Sequence, residues 1–247
     1  MILLLGIAIG LALGNAFFSD SNIVSDSFFP GFRRIRTDLD KFAPKFYSEG
    51  NEEIIIRHFF CDRRDGFFLD VGAYHYKDKS NTYYLEKNLG WHGIAVDANG
   101  EFERDYLEFR SHTKYFVFFV SDKSDEQAEF YIVKDPGHLT KSTAVKSFIK
   151  GRETEKIVVP TIRLDDLLSK LDIAKIDFFN LDIELWEPYA LAGFHIEKYR
   201  PSLVCIEAHP PVQQQILNYF SGHGYRRLDQ YLFFDKRNWY FAAKDIP

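Results

Sequence analysis

Acids that close apolar runs are the residues of this sequence best placed to do chemistry, because packing alone does not put an ionised carboxylate there. The run FFLDVGAYHYKDKSNTYY carries Asp70 and Gly72 at the turn before a helical pattern. A glycine removes the Cβ that would obstruct a ligand, and helix amides next to Ala73 offer donors beside a carboxylate. That arrangement suits a nucleotide-like cofactor; a plain strand-to-helix turn with a solvated aspartate would look the same. A dinucleotide fingerprint needs two further glycines, and this turn has neither, which argues against NAD and FAD. The next apolar run ends IAVDAN, about 25 residues after Gly72, the spacing of a strand-helix-strand unit in which an acid accepts from ribose hydroxyls. Asp97 would serve there, or else as the cap of the helix starting near Glu101. A third run ends VSD and sets Ser121 and Asp122 where a carboxylate accepts from an exocyclic amine, although turn chemistry explains them equally well.

The second half holds a denser group of acids. IDFFNLDIELWEPYAL places Asp182, Glu184 and Glu187 after an apolar strand and around a helix start, and SLVCIEAHP ends in Glu207 and His209 on one side of the chain. Glu187 has a simple role as a first-turn acid facing the helix dipole. His209 or Asp182 is the expected general base for a hydroxyl, with Glu184 beside them and His75 as a third candidate. The loop with Lys141, Ser142 and Thr143 is expected to cover the acceptor together with His75. Asp182, Glu184 and His209 would be the ligands if a metal activated the hydroxyl. They lack a dedicated ligand signature, so no metal is expected.

The elements that must position these residues alternate. Helical patterns at EEIIIRHFF, NTYYLEKNL and EFERDYLEFR separate apolar runs GFFLDVGA, HGIAVDAN and YFVFFVSD, and AEFYIV forms a further short extended run. Then IRLDDLLSKL, PYALAGFHIEKY and QQQILNYFSGHG read as helices around the strands IDFFNLDIE and PSLVCIEAH. YRRLDQYLFF and NWYFAAK close the chain as two strand-like runs. The expected fold is α/β and Rossmann-like: a mostly parallel, doubly wound sheet with a C-terminal antiparallel hairpin. Ligands of such sheets bind beyond the carboxyl ends of the strands.

With 247 residues, 46% hydrophobic and 17% aromatic, the chain suits one well-filled domain. A net charge of -5 gives no overall basic field, so no nucleic acid is expected as partner. Cys61 and Cys205 are read as reduced thiols. Residues 1–18, MILLLGIAIGLALGNAFF, carry no charged side chain, and the basic residues Arg33, Arg34, Arg36 and Lys41 follow them. That pattern favours a membrane anchor with the following domain in the cytoplasm over a cleaved signal and a secreted domain. Residues 19–50 read as a linker or collar, and 51–247 as the domain.

Taken in order, DVGAYHYKDKSNTYY, IAVDAN, TIRLDDLL, IDFFNLDIELWE and SLVCIEAHP resemble the FkbM-type methyltransferases over roughly residues 50 to 210. The resemblance implies the class I methyltransferase fold, S-adenosylmethionine as cofactor, and O-methylation of a sugar or another small or glycan hydroxyl acceptor. It implies that Asp70, Gly72 and Asp97 hold the cofactor. Asp182 and Glu184 match the family's D-V-E-G-x-E segment with Glu187 as its last acid, and Asp165 matches a T-x-x-D-D-L acid that shapes the fold. Tyr74 and His75 depart from the family's D-V-G-A-N-x-G, and Leu185 and Trp186 replace the small residues after its central glutamate. Two other readings stand beside this one: a membrane-tethered binding or trafficking module without catalysis, and a nucleotide-dependent sugar-modifying enzyme on a related sheet.

Overall fold

Short runs of Phe, Leu, Ile and Val that are buried on both faces belong at the centre of a sheet covered on two sides. A computed structural model describes residues 32–134 and 142–245, so the apolar segment 1–18 and Lys141 lie outside the described residues. The chain divides into a unit ending at Lys41, whose described part is helix α1 (Phe32–Asp40), and a compact unit that begins at Phe42. Part of the expected collar is thus helical, and residues 42–50 belong to the second unit, where the Glu53 carboxylate accepts from the backbone N–H groups of Phe46 and Tyr47.

In the second unit the first half runs α2 (Glu52–Phe60), β1 (Phe67–Val71), α3 (Tyr83–Leu89), β2 (His92–Asp97), α4 (Glu103–Phe109) and β3 (Thr113–Val117). Next come β4 (Phe119–Val120), β5 (Gln127–Val133) and β6 (Thr154–Ile162). The second half runs α5 (Leu164–Lys170), β7 (Phe178–Leu181), α6 (Glu187–Ala192), α7 (Ile196–Tyr199), β8 (Leu203–Glu207), α8 (Gln213–Gly222), β9 (Tyr225–Arg227) and β10 (Asn238–Ala243). The large sheet has the order β3-β2-β1-β7-β8-β10-β9, parallel from β3 to β8, with β10 antiparallel to both of its neighbours. The chain winds outward from β1 to β3 and returns to β7 on the other side of β1. The order therefore reverses between β1 and β7, and ligand sites of open α/β sheets lie at such a reversal. One core layer packs Leu69, Val71, Phe179, Leu181, Val204 and Ile206 of the sheet against Leu167, Leu168, Ile216 and Phe220 of the helices.

The mostly parallel sheet and the terminal antiparallel pair agree with the sequence pattern, and three details differ. The run YFVFFVSD is two strands, because Phe118 donates its N–H to the Asp97 carbonyl at 3.1 Å and the chain then leaves the large sheet. β4 joins β6 and β5 in a separate three-stranded sheet of order β4-β6-β5. PYALAGFHIEKY breaks into α6 and α7 at Gly193, where a Cβ would stand 2.5 Å from the Ser121 carbonyl oxygen. Of YRRLDQYLFF only Tyr225–Arg227 is strand, followed by a 3-10 turn at Asp229–Tyr231.

The first half is tied together by a buried ion pair. Arg110, 1% exposed, donates to the Glu86 carboxylate of α3 at 2.5 Å, to the Tyr76 carbonyl at 2.8 Å, and to the hydroxyls of Thr82 and Thr113 at 3.2 and 3.1 Å. Removing one partner strands the other charge in a dry setting, at a cost of about 3–5 kcal/mol. Arg110→Ala should therefore lower the unfolding free energy in urea by about 3 kcal/mol. A loss below about 1 kcal/mol, as exposed pairs show, would contradict this role for the pair.

Candidate active site

The chain leaving β1 passes directly against the chain leaving β7. Gly72 has φ +80°, and a Cβ on it would sit 1.7 Å from the carbonyl oxygen of Asp182. No side chain is tolerated at that distance, so the glycine is required by its neighbour as well as by its φ. The Gly72 N–H donates to the Val96 carbonyl at 2.9 Å, and the Asp182 N–H donates to the Val71 carbonyl at 3.0 Å. The three strand ends are thereby held side by side. Beneath them Asp70, 2% exposed, accepts from Thr82 Oγ1 at 2.7 Å and from Asn180 Nδ2 at 2.9 Å. Asn81 Nδ2 in turn donates to Asn180 Oδ1 at 3.1 Å. Burial pushes the Asp70 carboxyl up, while Thr82, Asn180 and the nearby Arg110 guanidinium favour its ionised form.

Above this floor opens a cleft of about 190 Å³. Asp70, Gly72, Ala73, Asp97, Ser142, Asp182 and Glu184 all line it, so seven of the residues expected from sequence are brought together. Asp97 accepts from the backbone N–H of Tyr74 at its Oδ2 and of Asn99 at its Oδ1, both at 2.8 Å. Each oxygen keeps capacity for a further donor. Burial raises this carboxyl to about 6. Phe118, Phe119, Val120, Ala98 and Phe130 form an apolar wall of the same cleft.

Beside Asp182 the ends of β7 and β8 present a group of acids around one imidazole. His209 Nε2 lies 3.2 Å from Glu184 Oε2 and 3.1 Å from Glu207 Oε2, with the ring edge against Phe148. Hydrogen bonds to Glu184 and Glu207 raise the imidazole to about 10, so it carries its proton at neutral pH and is poorly suited to take another. Asp182 is raised well above the usual carboxylate range by burial and by the charges of Glu207 and Glu184. Glu187 stands in the first turn of α6 as expected and is fully buried; its Oε1 accepts from the Ile183 N–H at 3.1 Å and burial raises it to about 7. Glu184 and Leu185 both have left-handed φ, +54° and +78°. Leucine stands here where the family's segment has glycine, and the turn is braced by the Thr143 hydroxyl, which donates to the Glu184 carbonyl at 2.9 Å.

Other expected residues stand apart from the cleft lining. Ser121 donates to Asp122 at 3.0 Å and accepts from Trp186 Nε1 at 3.4 Å, and the phenylalanine wall occupies the position they were expected to take. His75 Nδ1 accepts from the N–H groups of Lys77 and Asp78 and organises a turn. Thr143 is buried and braces a turn, whereas Ser142 reaches the cleft. Asp165 accepts from the His195 N–H at 2.9 Å, a structural contact. The lining also includes Glu49, Glu52, Lys79, Asn81, Asn180 and Arg237, which sequence reasoning did not single out. A polar Asn180 inside the apolar FFNL was a usable signal; nothing in sequence ties Arg237 or Glu49 to this place.

The model of the methyltransferase FkbM domain matches residues 70–227. No curated protein matches. Among solved structures, a protein from Pyrococcus horikoshii described as a proposed RNA methyltransferase is 14% identical, with 87% of this chain and 99% of that chain covered. Its TM-score of 0.39 is too low for it to carry an argument about this chain. The family match takes in the end of β1, the acids of β7 and β8, and most of the residues that line the cleft: the chain belongs to the FkbM methyltransferase family.

Proposed function

We propose that the chain transfers the methyl group of S-adenosylmethionine to a hydroxyl of a sugar or another small hydroxyl-bearing acceptor. The observation that carries this reading is that two unlike sets of residues line one cleft: Gly72, Asp97 and the wall of Phe118 and Phe119 make up the first half of the lining, and Asp182 and Glu184 belong to the second. The first half fits the cofactor, since Asp97 retains acceptor capacity for ribose hydroxyls and an apolar wall suits an adenine face. Bound there, S-adenosylmethionine supplies an electrophilic methyl on a sulfonium whose sulfur keeps the bonding pair. Glu184 and Asp182 orient the acceptor hydroxyl, and the ionised form of Asp182, a stronger base because burial and the neighbouring carboxylates raise it, takes the proton as the new oxygen–carbon bond forms. Glu49, Lys79, Asn81 and Arg237 surround the opening with donors and acceptors suited to an acceptor with several hydroxyls. The acidic cleft and the net charge of -5 disfavour a phosphodiester acceptor.

Two outcomes test the site. With labelled S-adenosylmethionine and a panel of glycosides, Asp182→Asn should lower kcat by about 100-fold or more while cofactor Kd stays within about threefold. Unchanged kcat would remove Asp182 from proton transfer. Cofactor affinity should also fall as pH drops through 6, because Asp97 is protonated below that value and loses acceptor capacity. The ionisable groups facing Asp97 are Asp70 on β1, Tyr74 after it, Tyr106 on α4 and Tyr115 on β3, and the three phenols stay neutral over this range. Equilibrium dialysis at pH 7.5 and 5 should show about a tenfold weaker Kd at the lower pH, and Asp97→Asn should flatten the difference. A pH-independent Kd in the native protein would show that Asp97 does not hold the cofactor.

The reading extends to residues 1–18 as a membrane anchor with the domain in the cytoplasm, where S-adenosylmethionine is made. The absence of any charged side chain from this mostly apolar run supports it. Among the described residues no helix is long and apolar enough to cross a membrane, and residues 1–18 lie outside them. Carbonate extraction of cell membranes should leave the full chain in the pellet; release into the supernatant would refute the anchor.

A further inference from the structure

The acids at the ends of β7 and β8 are not fully accounted for by proton transfer. Glu184, Glu207 and His209 each bring one ligand atom to within 4.8 Å of the others. The separations from His209 Nε2, 3.2 Å to Glu184 Oε2 and 3.1 Å to Glu207 Oε2, are about those of donors sharing one divalent ion at bond lengths of roughly 2.1 Å. Both glutamates are 5% exposed, and both line the cleft, so an ion between them would have protein on one side and open positions on the other.

A second observation points the same way. Glu187, 0% exposed and three residues after Glu184, has an Oε2 with no hydrogen-bond partner and interacts electrostatically with Glu207 and His209. Asp182 adds a fourth carboxylate. Four acids thus share one imidazole, while Arg237, the guanidinium lining the cleft, is engaged by Glu49 at 3.1 Å and Glu52 at 3.7 Å. Buried carboxylates crowded in that number either hold protons or take up further positive charge.

We propose that Glu184, Glu207 and His209 form a site for a divalent cation, with the imidazole Nε2 and one oxygen of each carboxylate as ligands. The mixed nitrogen and oxygen donors suit Mn²⁺ or Zn²⁺. The cation takes the place of the imidazole proton, and its open positions face the half of the cleft assigned to the acceptor. A hydroxyl bound there becomes more acidic and gives up its proton more readily. Cation binding is measured on the free protein, so this proposal stands or falls separately from methyl transfer.

The test uses the full chain stripped with EDTA and titrated with Mn²⁺, with the free ion followed by electron paramagnetic resonance and Zn²⁺ added as competitor. One Mn²⁺ per chain is expected, displaced by Zn²⁺, with at least a tenfold weaker Kd in His209→Ala and in Glu207→Gln. His112→Ala, which alters a histidine elsewhere, should leave the Kd unchanged. His209 is partly exposed, so its variant keeps the test valid if the buried Glu207→Gln fails to fold. No saturable binding at millimolar ion, or binding undiminished in both ligand variants, would overturn the site and leave His209 as an imidazolium bridging two carboxylates.

Discussion

A carboxylate in the driest part of a sheet has to be satisfied by fixed donors, and Asp70 is that carboxylate here. It is almost wholly buried, so the Thr82 hydroxyl and the Asn180 amide supply most of what water would. Each of those donors is positioned by something else. Thr82 also receives an N–H from Arg110, whose other bonds hold Glu86 of α3 and the Tyr76 carbonyl. Asn180 sits opposite Asp70 in the β1–β7 register and is itself held by Asn81. One buried charge therefore fixes the loop after β1, the start of α3 and the end of β7 against each other.

The cleft follows from that arrangement. Once β1 and β7 are locked in register, the chain can pass Asp182 only where residue 72 has no side chain, and the ends of three parallel strands open toward the same space. Asp97 arrives on one side with its carboxylate already aimed by two backbone N–H groups, which spares a ligand the cost of ordering it. On the other side the turn through Glu184 and Leu185 is strained, because a left-handed φ costs an ordinary L residue about 1–2 kcal/mol. At this turn Glu184 Oε2 stands 3.2 Å from His209 Nε2, and the Thr143 hydroxyl and the packing of Leu185 against the core hold it. The polar half of the cleft is built at a cost in stability, as functional sites commonly are.

Much of this was legible in the sequence where local pattern and tertiary role coincide. The two-sided apolar runs around Leu69, Val96 and Val204 announce parallel strands, and acids that end them, Asp70, Asp97 and Asp182, do line the cleft. Local pattern failed where a tertiary contact overrides it. Ser121 and Asp122 end an apolar run, yet that run changes sheets at Phe118, so they lie beyond the cleft wall. His75 lies outside the cleft lining, and the N–H groups of Lys77 and Asp78 occupy its Nδ1. β6 was not recognised, since a strand that packs on one face beside a long loop carries only a broken alternation. Arg237 enters the cleft from the tail of the chain, a placement that no short-range pattern encodes.

The account rests on the claim that the cofactor lies over the carboxyl ends of β1 and β2. Hydrogen exchange followed by mass spectrometry, with and without saturating S-adenosylhomocysteine, reads that claim directly. The account predicts slower exchange in peptides covering residues 70–76, 97–102 and 118–121, with little change in β9 and β10. Protection confined to other segments, or none at millimolar ligand in a folded protein, would contradict it.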